Sequence, residues 1–405
     1  MSMSSRGRVL AAINHQEPDR VPVDLGGTRA TGINISAYVR LRDALGIDGP
    51  PPKVLDVWQM LAWVERSVID RLQTDVLPVP RLVQDFGMRL DSWRTWQLED
   101  GTPVRMPGTF DPVPCPDGSV SLYLDGELVA RKVPSSPYFD AVIEMRMLTT
   151  PPPVEEIPLP LFSDEDLEWR RHWSRTLRAE TDKALLGGFG LNLGRWGSYQ
   201  EWFYGLGADR DYVRAWYDRK IENMLANMAL YAQAVGDAID IVWLMEDFGT
   251  QQGMMISPEL FRTLIAPYYK RLFAWVHEHT SWKVFFHSCG GVYPIIEALI
   301  DCGVDILNPV QTNAAGMAPG RLKTEFGERV TFWGGGIETQ SVLPFGTVEE
   351  VRQQVADRIA VFAPGGGFIF TPVHNIQRDV PPENLVAMYE AVHEFGRYPI
   401  EESKE

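Results

Sequence analysis

The chain has 405 residues, of which 45% are hydrophobic and 23% are charged, as in ordinary globular proteins. The 54 acidic and 38 basic residues give a formal net charge of −16, which disfavours non-specific binding to nucleic acid or to anionic membranes. No run of 18 apolar residues predicts a membrane span, and the first eight residues lack the apolar core of a signal peptide. The three cysteines are too scattered for a disulfide framework, so we expect a cytoplasmic protein.

The first part of the chain alternates helical and extended patterns. Apolar spacing predicts helices over residues 8–14, 35–45 and 54–72. Short apolar runs predict strands over residues 21–27 and 75–79.

Residues 93–133 have a different pattern, with three Asp-Gly pairs at residues 100, 117 and 125. Asp-Gly between short alternating runs favours β-hairpins, because the tight turn needs positive φ angles. We therefore expect a small antiparallel meander over residues 93–133, inserted into a larger domain. A charged helix is predicted to follow over residues 164–183.

The rest of the chain repeats short apolar strands separated by helices. With the two early strands the count is eight, which favours an α/β fold of the (β/α)₈ TIM-barrel type in a single domain over residues 1–405. An open doubly wound sheet would show the same alternation. The later predicted strands span residues 185–192, 239–245, 284–287, 305–309, 330–334 and 368–371.

Active sites of such barrels form at the carboxyl ends of the strands, and the predicted strand ends here are polar. His287 and Cys289 stand at positions i and i+2, which share a face of an extended segment and suit zinc. His374, after another strand, is the best third ligand, and Glu246 or Asp247 would ligate the metal or orient a ligand. The alternative is a reduced cysteine and a hydrogen-bonded histidine in a packed loop.

Other residues of chemical interest are more ordinary. Cys302 is expected in the core and Cys115 in the meander as an inert residue, while Trp196, Trp202 and Trp243 could wall an aromatic pocket. The glycines at 334–336 lack the Lys and Ser/Thr of a phosphate loop and predict a tight turn.

Several motifs together resemble the uroporphyrinogen decarboxylase superfamily, which includes decarboxylases and zinc-dependent methyltransferases of corrinoid systems. The resemblance covers nearly the whole chain and implies a (β/α)₈ barrel. Its motifs are Arg-Val-Leu-Ala-Ala at 8–12, Pro-Asp-Arg-Val-Pro-Val at 18–23, Ser-Pro-Glu-Leu-Phe at 257–261, His-Ser-Cys-Gly at 287–290 and Pro-Glu-Asn-Leu-Val-Ala at 382–387.

Two positions distinguish this chain from the decarboxylases it resembles. Their Arg-Gln-Ala-Gly-Arg-like loop after the first strand is replaced by residues 26–31, which keep one arginine, Arg29. Their aspartate after the second strand is absent from residues 78–81, where Arg81 is the charged residue. Tyr199 does stand where the decarboxylases keep a pocket tyrosine.

The methyltransferase branch binds zinc through a His-x-Cys pair and a later cysteine. His287 and Cys289 match the pair, and His374 stands at the later position, where decarboxylases also have histidine. The resemblance therefore implies a zinc enzyme of O-demethylase type. It would pass a methyl group from a small donor, a methoxylated aromatic or similar compound, to a corrinoid (cobalamin). The chain has no Asp-x-His-x-x-Gly motif, so we expect a partner protein to carry the corrinoid.

The strand-end positions and the resemblance together predict roles around this site. Glu246 and Asp247, at a strand end, and Tyr199, by the resemblance, are the predicted catalytic residues. A decarboxylase-like lyase and a zinc-bearing binding protein without turnover are the alternatives, and a homodimer stays open. The predicted substrate contacts are Arg29, Asn192, Trp196, Asn308 and Gln311.

Overall fold

A parallel β-sheet of seven strands forms the centre of the molecule. The structure is a computed structural model that describes residues 3–145 and 150–400. The strands lie side by side in chain order, which excludes the doubly wound alternative, since that topology reverses its strand order. Each strand overlaps a predicted one, and they are β1 (Val76–Val79), β2 (Ala184–Gly188), β3 (Ile241–Met245), β4 (Lys283–His287), β5 (Ile306–Asn308), β6 (Thr331–Trp333) and β7 (Phe368–Ile369).

The segment around Val23 joins the two edges of this sheet. Val23 forms a parallel bridge with Phe370, directly after β7. The carbonyl of Val23 also accepts a 2.8 Å hydrogen bond from the backbone N–H of Asp75, directly before β1. The sheet therefore curls into a barrel-like arrangement, called the barrel below. The predicted strand over residues 21–27 is reduced to these contacts.

A helix at the start of the chain, Ser5–Ile13, fills the amino end of the barrel. Ser4 caps it by accepting a hydrogen bond from Gly7 N. Its residues Val9, Ala12 and Ile13 are buried against inward-facing side chains of the strands. Those side chains include Val76, Ala184, Leu186, Ile241, Phe285, Ile306, Trp333 and Ile369.

Ion pairs surround this plug. Arg8 lies 2.6 Å from both Asp19 and Asp75, and Arg20 lies 2.7 Å from Asp75. Asp75 is wholly buried and directly precedes β1. Arg8, Arg20 and Asp75 thus each have an opposite charge in contact, which offsets part of the cost of burying them.

Helices connect successive parallel strands, as crossovers require. Capping residues begin several of them, for example the capping box at Thr347 and the Ser257 cap before Pro258. None of the helices within residues 3–145 and 150–400 is long and apolar enough to cross a membrane. The α-helices are Ser5–Ile13, Ile35–Ala44, Arg66–Arg71, Asp164–Glu180, Tyr199–Ala208, Arg210–Val235, Pro258–Leu260, Ala266–His279, Ile296–Asp301, Pro319–Phe326, Val342–Phe345, Val348–Phe362 and Pro382–Phe395, and Phe261–Ile265 is a π-helical turn.

The region between β1 and β2 contains two separate antiparallel sheets where the sequence predicts one meander over residues 93–133. The first is the hairpin Trp93–Gln97 with Pro103–Pro107. The second continues past the predicted end, and its strands are Val113–Pro114, Val120–Leu124, Glu127–Lys132 and Asp140–Ala141.

The predicted helix over residues 54–72 is wrong. The structure has the antiparallel pair Val54–Asp56 and Leu61–Ala62, followed by the short helix Arg66–Arg71. Met60 takes a left-handed conformation with φ of 52°, which turns the chain between the two strands. Backbone pairing with the inserted hairpin, at Lys53 and Arg105, fixes the extended form over the local helical pattern.

Candidate metal centre

His287 ends β4 with one ring nitrogen fixed and the other available. Its Nδ1 lies 2.6 Å from Oδ1 of Asn308, its register partner at the end of β5. The Asn308 Nδ2 group donates to the carbonyl of Trp333 at 2.7 Å, which places Oδ1 toward the histidine. His287 therefore donates from Nδ1 and keeps a lone pair on Nε2, the tautomer that a metal ligand needs.

Cys289 brings its thiol to that nitrogen. The Sγ atom lies 3.2 Å from His287 Nε2. The loop is held by backbone N–H groups, since Cys289 N donates to Asp247 Oδ1 at 2.9 Å and Gly290 N donates to Gln311 Oε1 at 2.8 Å. Gly290 has a φ of 85°, and a Cβ there would meet the backbone of Gly249 at 2.4 Å. Only glycine fits this turn.

His374 completes a cluster of three. It follows β7, and its ring centroid lies 5.7 Å from that of His287. The candidate ligand atoms of His287, Cys289 and His374 all lie within 4.8 Å of one another. Two imidazole nitrogens and one thiolate form a ligand set that zinc accepts in catalytic sites, so the residues fit this metal.

Burial sets the protonation of the cluster in the absence of metal. It lowers the pKa of His287 and, together with the neighbouring His287 ring, lowers the pKa of His374 to about 4. Burial and the nearby Asp247 carboxylate raise the pKa of the Cys289 thiol far above its usual value. Both imidazoles are therefore neutral and able to ligate, whereas metal binding must release the thiol proton.

The adjacent carboxylates Glu246 and Asp247 point in different directions after β3. Asp247 Oδ1 lies 3.7 Å from His287 Nε2 and accepts the bond from Cys289 N. Glu246 is buried and its Oε2 accepts a 2.9 Å hydrogen bond from Gly194 N. Burial raises the pKa of Glu246 to about 7, against the opposing charge of Arg195. Asp247 thus belongs to the metal cluster, and Glu246 faces the loop after β2.

Arg29 lies near the cluster, in a charged group of its own. Its guanidinium is 2.9 Å from Asp56 and 2.6 Å from Asp85, and stacks 5.2 Å above the Trp58 ring. Its positive charge contributes to lowering the pKa of His287 and of His374, which places it within electrostatic reach of both.

Sequence reasoning missed Asp56 and Asp85 as partners of Arg29. Asp56 lies in the segment wrongly predicted as helix. Asp85 lies in a loop that begins after β1, which is a position where a functional carboxylate could have been sought.

The remaining predicted site residues lie in supporting positions. Asn308 is wholly buried with both ends of its amide engaged, and Gln311 bonds to Gly290 and to Gln251. Asn192 donates to the carbonyl of Met245 at 3.0 Å. These amides hold the loops that carry the cluster.

The predicted aromatic residues form a packed group on the loop and helices after β2. Trp196 packs edge-on against Tyr212 and Trp216. Tyr199 lies under the Arg195 guanidinium, 3.5 Å from its ring centroid, and stacks on Phe203. None of the contacts recorded for Trp196 or Tyr199 in the described chain reaches the three candidate ligands.

The other cysteines and tryptophans are placed in three different surroundings. Trp202 is buried in the core, and Trp243 lines a cavity beside Arg29. Cys302 is buried in the core as expected, and Cys115 contacts Ser121 in the inserted sheet.

Comparison with known proteins agrees with the motif analysis. Residues 208–395, which include β3 to β7 and all three candidate ligands, match the family described as "Uroporphyrinogen decarboxylase (URO-D)". The predicted superfamily is therefore confirmed.

Curated relatives of this family match over part of their length. The uroporphyrinogen decarboxylase of Psychromonas ingrahamii is 30% identical over 148 residues, which cover 36% of this chain and 39% of that protein. The enzyme of the same name from Methylococcus capsulatus is 33% identical over 113 residues, covering 28% of this chain and 30% of the relative. The match to these uroporphyrinogen decarboxylases thus spans less than half of their length.

A solved structure is similar over nearly the whole chain. It is a methyltransferase from Methanosarcina mazei, with a TM-score of 0.59 and 17% sequence identity, and the match covers 97% of this chain and 99% of that one. The likeness establishes a shared fold that extends beyond the residues that match the uroporphyrinogen decarboxylase family.

Proposed function

We propose that this protein is a zinc-dependent methyltransferase on a (β/α)₈ barrel. It would remove a methyl group from a small methoxylated donor and pass it to a corrinoid carried by a partner protein. The observation that carries the proposal is the convergence of His287, Cys289 and His374, whose ligand atoms lie within 4.8 Å at the carboxyl end of the barrel. Such barrels place their reactive groups at this end.

His287, Cys289 and His374 would hold the zinc ion, which as a Lewis acid polarises the ether oxygen of the donor when bound. Asn308 keeps the His287 ring in the ligating tautomer through its 2.6 Å contact with Nδ1. Asp247 anchors the Cys289 backbone and places a carboxylate beside the ligands.

Glu246 is suited to hold a proton near neutral pH. Burial raises its pKa to about 7, and Oε2 accepts the hydrogen bond from Gly194 N. A group with a pKa near the working pH is an effective proton donor to a leaving oxygen.

The metal test is elemental analysis of the purified chain, in which we expect one zinc per chain. Cys289→Ser should lose the zinc, whereas the matched control Cys115→Ser, in the inserted sheet, should keep it. Asn308→Ala leaves all three ligands in place and should weaken zinc binding by about 10- to 100-fold. A zinc-free wild-type protein, or a Cys289→Ser variant with full zinc content, would contradict the metal site.

The activity test follows methyl transfer from methoxylated aromatic compounds to cob(I)alamin, with and without zinc. We expect methylcobalamin to form with the wild-type protein and not with Cys289→Ser. Zinc binding without methyl transfer from any donor would favour a zinc-bearing binding protein without turnover.

Decarboxylation of a tetrapyrrole is the second candidate, because the curated relatives are named as uroporphyrinogen decarboxylases. One observation opposes it. Arg29, the arginine kept from the decarboxylase-like loop, is already engaged by Asp56 and Asp85. We expect no coproporphyrinogen from uroporphyrinogen in an anaerobic assay, and its appearance would restore the decarboxylase.

A further inference from the structure

Arg81 is an enclosed cation without a carboxylate in contact. Several other enclosed arginines are paired, for example Arg8 with Asp19, Arg170 with Asp166 and Arg178 with Asp240. Within residues 3–145 and 150–400, no carboxylate oxygen lies within 4.0 Å of the Arg81 guanidinium. Its side-chain contact there is a 3.2 Å hydrogen bond from Nη2 to Gln84 Oε1. The residue is half-buried, and the donors that Gln84 does not use are available to water or to a ligand.

The surroundings of Arg81 keep it charged without satisfying those donors. Burial lowers the pKa of Arg81, and the nearby Asp85 opposes this effect. The group formed by Arg29, Asp56 and Asp85 carries one net negative charge, which balances Arg81 at longer range. However, the Asp85 carboxylate accepts no hydrogen bond from Arg81, since it contacts Arg29 at 2.6 Å.

The open side of Arg81 faces a cavity of about 50 Å³ at the carboxyl ends of β1, β2 and β3. Arg81 and Gln84 form one wall, Arg29 and Thr28 another, and Trp243 an apolar third. Gly190, with a φ of 83°, keeps the approach clear, because a Cβ there would lie 2.8 Å from Arg81 Nη1. The cavity thus presents one free cation beside an aromatic surface.

The size and charge of the cavity select one class of group. A space of 50 Å³ holds a few water molecules or one carboxylate, and the planar guanidinium fork matches a carboxylate through two parallel hydrogen bonds. Asp56 and Asp85, within the same charged group, disfavour a dianion such as phosphate by repulsion. The cavity lies at the carboxyl ends of β1 to β3, and the candidate ligands His287, Cys289 and His374 follow or end β4 and β7, so the cavity and the metal cluster occupy the same end of the barrel.

We propose that Arg81 binds a carboxylate of the methyl donor, so that the substrate is a methoxylated aromatic acid rather than a neutral ether. This inference rests on the proposed function for the identity of the bound molecule. The recognition of the carboxylate by Arg81 depends on the cavity alone and is measurable without methyl transfer.

The test is calorimetric titration of the zinc-loaded full chain with 4-methoxybenzoate, benzoate and 4-methoxybenzyl alcohol, in the absence of corrinoid. We expect both acids to bind and the alcohol to bind at least tenfold more weakly. Arg81→Gln should weaken both acids by about 30-fold or more, the scale for losing one partner of an enclosed charge pair, and leave the alcohol unchanged. The matched control Arg71→Gln, which removes a surface arginine, should bind the acids as the wild type does.

Arg81→Lys keeps the charge and removes the planar fork, so it should bind the acids with intermediate affinity and replaces Arg81→Gln if that variant does not fold. Equal binding of acid and alcohol by the wild type, absence of acid binding, or full acid binding by Arg81→Gln would overturn the proposal. Acid binding that depends on Arg81 without any methyl transfer would overturn the proposed function and leave the carboxylate site standing. Methyl transfer that is equally efficient from the alcohol would overturn the carboxylate site and leave the proposed function standing.

Discussion

The two ends of the barrel use the same kinds of charged residue in opposite ways. At the amino end, Arg8, Asp19, Arg20 and Asp75 are in mutual contact at 2.6–2.7 Å around the helical plug. At the carboxyl end, Arg81 has no carboxylate within 4.0 Å among the residues described, and the three candidate ligands face one another beside the Asp247 carboxylate.

This difference separates stability from function. Ion pairing at the amino end offsets part of the cost of burying these charges, and removing one partner would leave a buried charge uncompensated. Open groups at the carboxyl end lower the stability of the empty protein, but they are available to a metal and a ligand. Variants at the amino end should therefore change the free energy of unfolding, and variants at the carboxyl end should change ligand binding and catalysis.

Arg8→Met should have the largest effect, because it breaks a buried charge network at the amino end. Asp75 is wholly buried and would lose one of its two arginine partners, so we expect a loss of about 3–5 kcal/mol in the free energy of unfolding. Chemical denaturation measures this loss. Zinc content and benzoate affinity of the folded variant should match the wild type; reduced zinc binding would show that the two ends are coupled.

Asp247→Asn should have the converse effect at the carboxyl end. The amide still accepts from Cys289 N but lacks the negative charge, so we expect methyl transfer to fall by about 10²-fold, or about 2.7 kcal/mol, with the melting temperature nearly unchanged. Glu246→Gln tests the proton donor in the same way. Full activity in both variants would remove these carboxylates from the mechanism and leave the zinc to act alone.

Acid should weaken the amino end by a smaller amount. The hydrogen bond from Arg8 lowers the pKa of Asp19 to about 2, below the usual value of about 3.9. The pair is therefore fully stabilising above about pH 5, and its contribution is lost as the pH falls toward 2. Since Asp19 is partly exposed, we expect a loss of about 1–2 kcal/mol. Unfolding at pH 5 and pH 2.5 measures it, and Asp19→Asn should remove this part of the pH dependence.

The periodic parts of the fold were predictable from the sequence, and the irregular parts were not. Strands β2 to β7 are short apolar runs between amphipathic helices, and local pattern suffices to find them. Residues 54–72 have a helical pattern but pair with the inserted hairpin and with the segment at Ile33 and Asn34. That pairing depends on residues distant in the chain, which a local pattern does not encode.

The candidate ligands were predictable for a related reason. His287 and Cys289 are two residues apart, so their convergence follows from an extended backbone, and His374 follows another strand that ends at the same face. The orienting role of Asn308 required the register of β4 against β5, and the isolation of Arg81 required the positions of every carboxylate around it. Such relations appear only in three dimensions.

Arg29 and His374 are far apart in the chain. The closure of the barrel at Val23 places them on the two sides of one junction. The segment is joined to Phe370 by two backbone hydrogen bonds, from Phe370 N to Pro22 O and from Asp24 N to Phe370 O. It is joined to Asp75 by one backbone bond and by one bond from Val23 N to the carboxylate, whereas β3 and β4 share five paired positions. A junction with so few hydrogen bonds opens at lower free energy than a longer ladder, so local fluctuation concentrates there. Arg29 follows one side of this seam and His374 follows the other. Thermal breathing of the barrel would therefore vary the distance between the carboxylate cavity and the metal ligand, and it would do so without unfolding the plugged end.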